Sequence, residues 1–162
     1  MTRMYLVRHA EAEGNLYRRI HGWYDSLITD NGYRQIAALA HRFEGIPVDA
    51  VYSSDLFRTR TTAGAICKPK GLALTTRKGL REIHLGDWED RTWGEVARLD
   101  PAELDRFNRN APEFRAEGGE SFRELRRRTT ASVRQLVRNH PGQTVAVVSH
   151  GTAIRNLLAA FQ

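Results

Sequence analysis

Two apolar, strand-like runs, one near each end of the chain, hand the backbone directly to a histidine. Met4-Tyr5-Leu6-Val7 is followed by Arg8-His9, and Thr144-Val145-Ala146-Val147-Val148-Ser149 is followed by His150-Gly151. Short continuous apolar runs rich in β-branched residues read as strands buried on both faces. Such strands belong to parallel sheets covered by helices. In open sheets of that kind ligands bind beyond the carboxyl ends of the strands. Two strands that each deliver an imidazole to that edge can place both rings over one crevice, and the stretch from Met4 to Asn15 is where the chemistry is expected.

Between these runs the chain alternates strand and helix signals. Residues 15–27 hold turn formers and aromatics without a period and read as a loop. Thr29 is a helix N-cap, with Ile36, Leu39, Ala40 and Phe43 at helical spacing up to Gly45 and Pro47. A second strand over 49–52 leads into Ser53-Ser54-Asp55, where Asp55 is expected to cap a helix running to about Lys68 and to place Arg58 in its first turn. A third strand is expected over 72–76, then an irregular segment from Leu80 to Glu89. Thr92 with Glu95, and Asp100-Pro101 with Glu103, are capping signatures of two short helices. Residues 108–119 are expected to form a loop hanging over the crevice as a lid. Ser121 with Glu124 opens the longest helix, striped by Phe122, Leu125, Thr129, Val133 and Leu136, and residues 152–161 form a last helix. The expected fold is α/β: a single three-layer domain over 1–162, its mostly parallel sheet carrying helices on both faces.

A chain of 162 residues fits one domain that buries roughly two thirds of its unfolded surface, so neither disulfide nor metal is needed to hold it together. Cys67 is the only cysteine and reads as a core residue rather than a nucleophile. With no leader-like or membrane-length apolar run, a cytoplasmic protein without membrane contact is expected. The net charge of +6 comes from 25 basic and 19 acidic residues, and all but Lys68, Lys70 and Lys78 of the basic ones are arginine. Arginine matches phosphate oxygens two at a time, so the balance points to anions. The arginines are scattered, however, and Arg126-Arg127-Arg128 reads as a solvated helix face, so no nucleic-acid partner is expected.

The polar residues that follow strands are Arg8, His9, Arg58 and His150, with Asn15 and Glu82 on loops within reach. Two arginines, two histidines and an asparagine suit a phosphoryl group, whose transition state spreads charge over its equatorial oxygens. A carboxylate there serves best as an acid. The segments Leu6-Val7-Arg8-His9-Ala10-Glu11, Gly22-Trp23, Ser53-Ser54-Asp55 with Arg58 and Thr62-Ala63, Glu82 with Gly86 and Trp88-Glu89, Gly118-Gly119-Glu120-Ser121 and Ser149-His150-Gly151, in that order, resemble the histidine phosphatase superfamily, the phosphoglycerate mutase-like family.

The resemblance implies that His9 takes the phosphoryl group on a ring nitrogen, and that Arg8, Arg58 and His150 hold its oxygens with help from Asn15. It further implies that Glu82 protonates the leaving oxygen and then activates water, with no metal or organic cofactor. Imidazole attacks only when neutral, and neighbouring cations are expected to lower the pKa of His9, while bound phosphate keeps a proton on Glu82. Gly22 and Gly151 fall at substrate-binding positions. His21 stands where mutases of the family carry a small residue, and Ala10 replaces a usual glycine. The family's chains usually continue well past the second histidine, so the expectation is a longer natural chain or a short form lacking a segment that helps close the pocket. Glu82 and His150 lie 68 positions apart, a span too short for the insertions of the mutases, which favours a phosphatase acting on a small phosphorylated metabolite over phosphoglycerate mutase-type transfer. A metal hydrolase lacks its HxxEH or HxH spacing. A non-catalytic anion-binding relative, and a homodimer, are the remaining alternatives. His41, His84 and His140 are expected to be surface or structural residues.

Overall fold

The computed structural model describes residues 1–161. Strands β1 (Arg3–Arg8), β2 (Ala50–Ser53), β3 (Leu74–Thr76) and β4 (Thr144–Ser149) form one parallel sheet in the order β1-β4-β2-β3. The helices are α1 (Glu13–Leu16), α2 (Asp30–Phe43), α3 (Phe57–Cys67), α4 (Trp93–Leu99), α5 (Pro101–Asn108), α6 (Phe122–Asn139) and α7 (Gly151–Ala159).

Alternation along the strands divides the core in two. Tyr5, Val7, Val51, Ala146 and Val148 pack against Leu39 and Phe43 of α2 and Ala63, Ile66 and Cys67 of α3. Met4, Leu6, Tyr52, Val145 and Val147 pack on the other face against Val133 and Leu136 of α6 and Leu157 of α7. The three-layer α/β domain expected from the strand–helix alternation is the observed one. Arg8 pairs with Ser149, and Ser53 with Val148, so β1, β2 and β4 finish level at one edge. His9 and Ser54 extend that edge by donating to the carbonyls of Ser149 and Val148 at 3.0 and 3.2 Å.

Thr29, Thr92 and Ser121 accept the N3 amides of α2, α4 and α6, as their spacing predicts, each cap contributing about 1 kcal/mol. Two expected caps do something else. Helix α3 begins one residue after Leu56, without a side-chain cap of its own, because both oxygens of Asp55 are taken by Arg81 at 2.6 and 2.7 Å. Asp100 does not cap α5 with its side chain and instead accepts the Trp88 indole N–H at 3.1 Å. The loop expected over 15–27 is interrupted at its start by the single turn of α1.

The expected lid is not a lid. Asn108 closes α5 and residues 109–119 are irregular, but Phe114 and Ala116 are completely buried in a third cluster with Ile83, Leu85, Trp88, Phe122 and Leu125. The Phe114 ring lies 5.2 Å from Trp88 and 5.1 Å from Phe122. An aromatic side chain in a polar stretch removes more apolar surface from water by turning inward than the loop loses in freedom. Phe114→Ala should therefore destabilise the fold by about 3–5 kcal/mol, read as a lower midpoint in urea unfolding. A mobile lid would give no such shift.

Candidate active site

His9 follows β1 immediately, and its ring Nδ1 lies 2.7 Å from the Ala10 carbonyl oxygen. A carbonyl only accepts, so Nδ1 carries the hydrogen and Nε2 keeps its lone pair. The Ala10 amide donates to Thr62 Oγ1 at 2.9 Å, which ties the turn after β1 to α3. The His9 pKa falls to about 3, chiefly because the ring is buried and next because the Arg58 guanidinium stands near it. Burial leads here, ahead of the cations that the sequence suggested as the cause.

Arg58 has no solvent exposure. Its two terminal nitrogens donate to the Gly22 carbonyl at 2.7 Å, the Tyr24 carbonyl at 3.0 Å and Asp25 Oδ1 at 2.9 Å, while its Nε is buried without a partner among the described residues. Presenting the 22–24 carbonyls to one guanidinium needs the left-handed conformation of Gly22, whose φ is +56°, and a Cβ there would meet Glu89 Oε1 at 2.3 Å. Glu89 is fixed at that point because it accepts the amides of Trp23 and Tyr24 at 2.9 Å each.

His150, at the end of β4, is fully buried. Its Nε2 is bound to Ser54 Oγ at 2.8 Å and its Nδ1 has no partner among the described residues. Its ring centroid is 5.2 Å from that of His9. Burial first, then Arg58, holds it well below the ordinary imidazole range. His21 lies 6.2 Å from His9 with Nε2 on Ser26 Oγ at 2.6 Å, and burial lowers its pKa to about 4.

Glu82 comes from the irregular segment after β3. Its carboxylate accepts the amides of Ile83 at 2.9 Å, Thr152 at 3.1 Å and Ala153 at 2.9 Å, the last two in the first turn of α7 where N–H groups lack helical partners. Arg128 holds its backbone, donating to the carbonyls of Gly79, Arg81 and Glu82 at 3.1, 2.9 and 2.6 Å and pairing with Glu120. Trp23 Nε1 donates to the same Glu82 carbonyl at 2.9 Å.

Of the nine residues expected at the site, eight line one cavity of about 210 Å³: Arg8, His9, Asn15, His21, Gly22, Arg58, Glu82 and Gly151. His150 lies behind His9 instead of on the cavity wall. Of the eight lining residues not expected there, Arg19, Trp93, Phe107 and Arg155 are the charged and aromatic ones. Arg155 is readable in retrospect, since it sits four residues after Gly151 and shares its helix face. So is Arg128, three after Leu125 and beside the apolar stripe, unlike the exposed Arg126 and Arg127. Arg19, Trp93 and Phe107 carry no sequence signal that singles them out. His84 packs on Trp23 and His140 bonds the Tyr52 hydroxyl, as structural residues. Among the described residues, no group of three or more His, Cys, Asp or Glu side chains is placed to share a metal ion, and no helix is long and apolar enough to cross a membrane.

A neutral, tautomer-fixed imidazole among guanidinium groups, with a carboxylate on a separate loop, makes a site chemically able to receive a phosphoryl group on a ring nitrogen. The model of the histidine phosphatase superfamily (branch 1) matches residues 4–162, and the chain belongs to that superfamily. It is 32% identical over 161 residues to phosphoserine phosphatase 1 of Hydrogenobacter thermophilus, covering 99% of this chain and 76% of that one. Identity is 36% over 162 residues to the probable phosphoglycerate mutase GpmB of Photorhabdus laumondii, covering 99% and 75%. The solved structure of Bacillus stearothermophilus YhfR superposes with a TM-score of 0.94 at 36% identity, covering 99% of this chain and 80% of that one. The chain is an enzyme of the phosphatase type within this superfamily.

Two outcomes follow from this geometry. Arg128→Ala should lower kcat about tenfold or more with a smaller change in KM, since it loosens the backbone that carries Glu82 without removing a cavity group. His9, His21 and His150 titrate near 6.5 in the unfolded chain and far lower when folded. The unfolded state thus binds more protons below pH 6.5, so stability is full above that pH and falls as pH drops from about 6.5 toward 3. Thermal midpoints measured across that window should decline, and less steeply in His21→Asn.

Proposed function

We propose that His9 Nε2 is the nucleophile that attacks the phosphorus of a small phosphomonoester. The N–P bond forms as the bond from phosphorus to the ester oxygen breaks, and Glu82 gives its proton to that leaving oxygen. The ring becomes cationic while its Nδ1–H stays on the Ala10 carbonyl. Water then attacks phosphorus, Glu82 takes its proton, and inorganic phosphate leaves as the N–P bond breaks. Arg8, the free Nε of Arg58 and the side-chain amide of Asn15 serve the phosphoryl oxygens. Asn15 has only its Oδ1 committed, to the Ala12 amide at 3.0 Å. His150 and Ser54 back the nucleophile, and His21 with Gly22 borders the leaving group. The observation that carries this reading is the Nδ1 contact of His9 with Ala10, which leaves one uncharged lone pair on a ring inside a cationic cavity.

A small substrate is supported by the cavity's 210 Å³, which lies below the roughly 300–1,000 Å³ of pockets for drug-sized ligands. Hydrolysis is favoured over mutase transfer because the 108–119 segment is folded into the core and does not roof the phosphohistidine against water. A reducing, cytoplasmic setting is supported by the single cysteine, Cys67, buried beside the sheet.

Brief exposure to a radiolabelled phosphate ester, followed by quenching, should leave a protein-bound label stable to alkali and lost in acid, and His9→Ala should give neither label nor turnover. With 3-phosphoglycerate, phosphate release should exceed formation of 2-phosphoglycerate, and the reverse would make the protein a mutase. Because His9 stays neutral down to about pH 3, the nucleophile contributes no acid limb to kcat/KM between pH 4 and 8. A limb near pH 6 belongs to the second ionisation of the substrate's phosphate and should move when esters of different phosphate pKa are compared. A limb that stays fixed across such a series would assign it to the protein.

A further inference from the structure

Two buried side-chain nitrogens near His9, Arg58 Nε and His150 Nδ1, have no hydrogen-bond partner among the described residues. Arg58 Nε always carries a hydrogen and is a donor. What His150 Nδ1 offers is decided on the far side of its ring. Nε2 lies 2.8 Å from Ser54 Oγ, which lies 2.6 Å from Thr59 Oγ1. Thr59 Oγ1 is in turn 2.9 Å from the Leu56 carbonyl oxygen and 3.1 Å from that of Ser54. Carbonyls only accept, so the Thr59 hydrogen goes to one of them and the Ser54 hydrogen goes to Thr59. Ser54 Oγ is then left to accept from His150 Nε2–H. The opposite direction would set Thr59 Oγ1 against two carbonyls with no hydrogen between them. It would also strand a buried N–H at Nδ1, and orphaned donors are rarer than orphaned acceptors.

His150 therefore carries its hydrogen on Nε2, the reverse of His9, and its Nδ1 is a lone pair. The groups around the ring oppose a second proton. His9 and Arg8 come from the end of β1, His21 from the loop after it, Arg58 from α3 and Arg128 from α6. The one carboxylate, Glu82, is taken by the Thr152 and Ala153 amides just beyond His150. Beside His9 the site thus presents one buried donor and one buried acceptor. A fully ionised phosphoryl group has only acceptor oxygens, and its lone pairs would face that of Nδ1. A phosphoryl group that keeps one proton satisfies both, since one oxygen accepts from Arg58 Nε and its P–OH donates to Nδ1. The His9 and His150 ring centroids are 5.2 Å apart, so the oxygens of a phosphoryl group at His9 come within reach of both residues.

We infer that His150 Nδ1 accepts a hydrogen from the phosphoryl group, so that the site selects the singly ionised form of its ester over the doubly ionised form. The inference rests on the phosphomonoesterase reading above, and adds which ionisation state of the ester reacts. It also gives Ser54 and Thr59 a role as positioning residues, which hold the His150 tautomer. The hydrogen stays with the phosphoryl group through transfer and leaves with the phosphate.

The test uses methylphosphonate and methanesulfonate as competitive inhibitors at about pH 6. The two have the same shape and nearly the same charge there, but only the phosphonate carries an acidic hydrogen. The wild type should bind methylphosphonate about tenfold or more tightly, the range for leaving a buried polar group unpaired. His150→Asn, which puts an amide N–H near the place of Nδ1, should bring the ratio close to one. Ser54→Ala, which frees the ring to exchange tautomers, should narrow it with the imidazole still present, and carries the test if His150→Asn does not fold. With esters, kcat/KM should fall as pH rises through the second ionisation of the phosphate, near pH 6. Equal inhibition by the two anions, or a flat profile across that ionisation, overturns the inference and leaves the phosphatase standing. A ratio that survives both variants but is lost in Glu82→Gln assigns the accepting group to the carboxylate and also overturns it. No inhibition by either anion, with no trapped phosphohistidine, overturns the phosphatase reading and the inference with it.

Discussion

A guanidinium sealed from solvent beside an imidazole is the arrangement on which the rest of this molecule depends. A buried charge is tolerated only when its donors are matched. Arg58 meets that condition through two carbonyls and Asp25, leaving one nitrogen over. The same Asp25 carboxylate also takes the Phe57 amide at the start of α3, supplying from a distant loop the cap that α3 lacks locally. One acidic side chain thus sets both where the helix begins and how its arginine is aimed. With that cation in place and the ring buried, His9 Nε2 carries no proton.

The proposed nucleophile and the proposed acid stand on different foundations. His9 and His150 extend adjacent parallel strands, whose register is fixed by hydrogen bonds along their length. Glu82 lies on an irregular segment whose placement comes from the aromatic cluster beneath it, from Arg128 and Glu120, and from the amides of α7. Loops position chemistry well only when other groups over-determine them, and here three separate elements do so. Trp93 and Phe107, which border the cavity, also pack against that cluster. Changes that reshape the leaving-group side of the cavity therefore act on the support of the acid as well.

Much of this was visible in the residues. The double-histidine strands, the caps at Thr29, Thr92 and Ser121, and the apolar stripe of α6 are local signals, and each depends on spacing that a linear reading preserves. The failures share one cause. Asp55 and Asp100 are good caps by local chemistry, but Arg81 and Trp88 claim them first, and neither partner is predictable before the chain is folded. Phe114 sits among polar and glycine residues, so its segment looks like a surface loop until the hydrophobic cluster that receives it exists. Arg128 hides within an arginine triplet whose other two members are solvated. Arg155 and Arg19 are ordinary helix and loop arginines by sequence, and only the closing of the cavity brings them to one wall.

Strands β1 and β4 are neighbours in the sheet but are drawn from opposite ends of the polypeptide. Their pairing joins residues as far apart in sequence as Arg3 and Thr144, a non-local contact of the kind that closes late and slowly during folding. On the ribosome, α2, α3 and the β2–β3 pair can assemble while the partner of β1 has yet to emerge. Until β4 docks, His9 lacks the Ser149 carbonyl that accepts its amide and the His150 ring behind it. Catalytic competence thus reports that the sheet has closed.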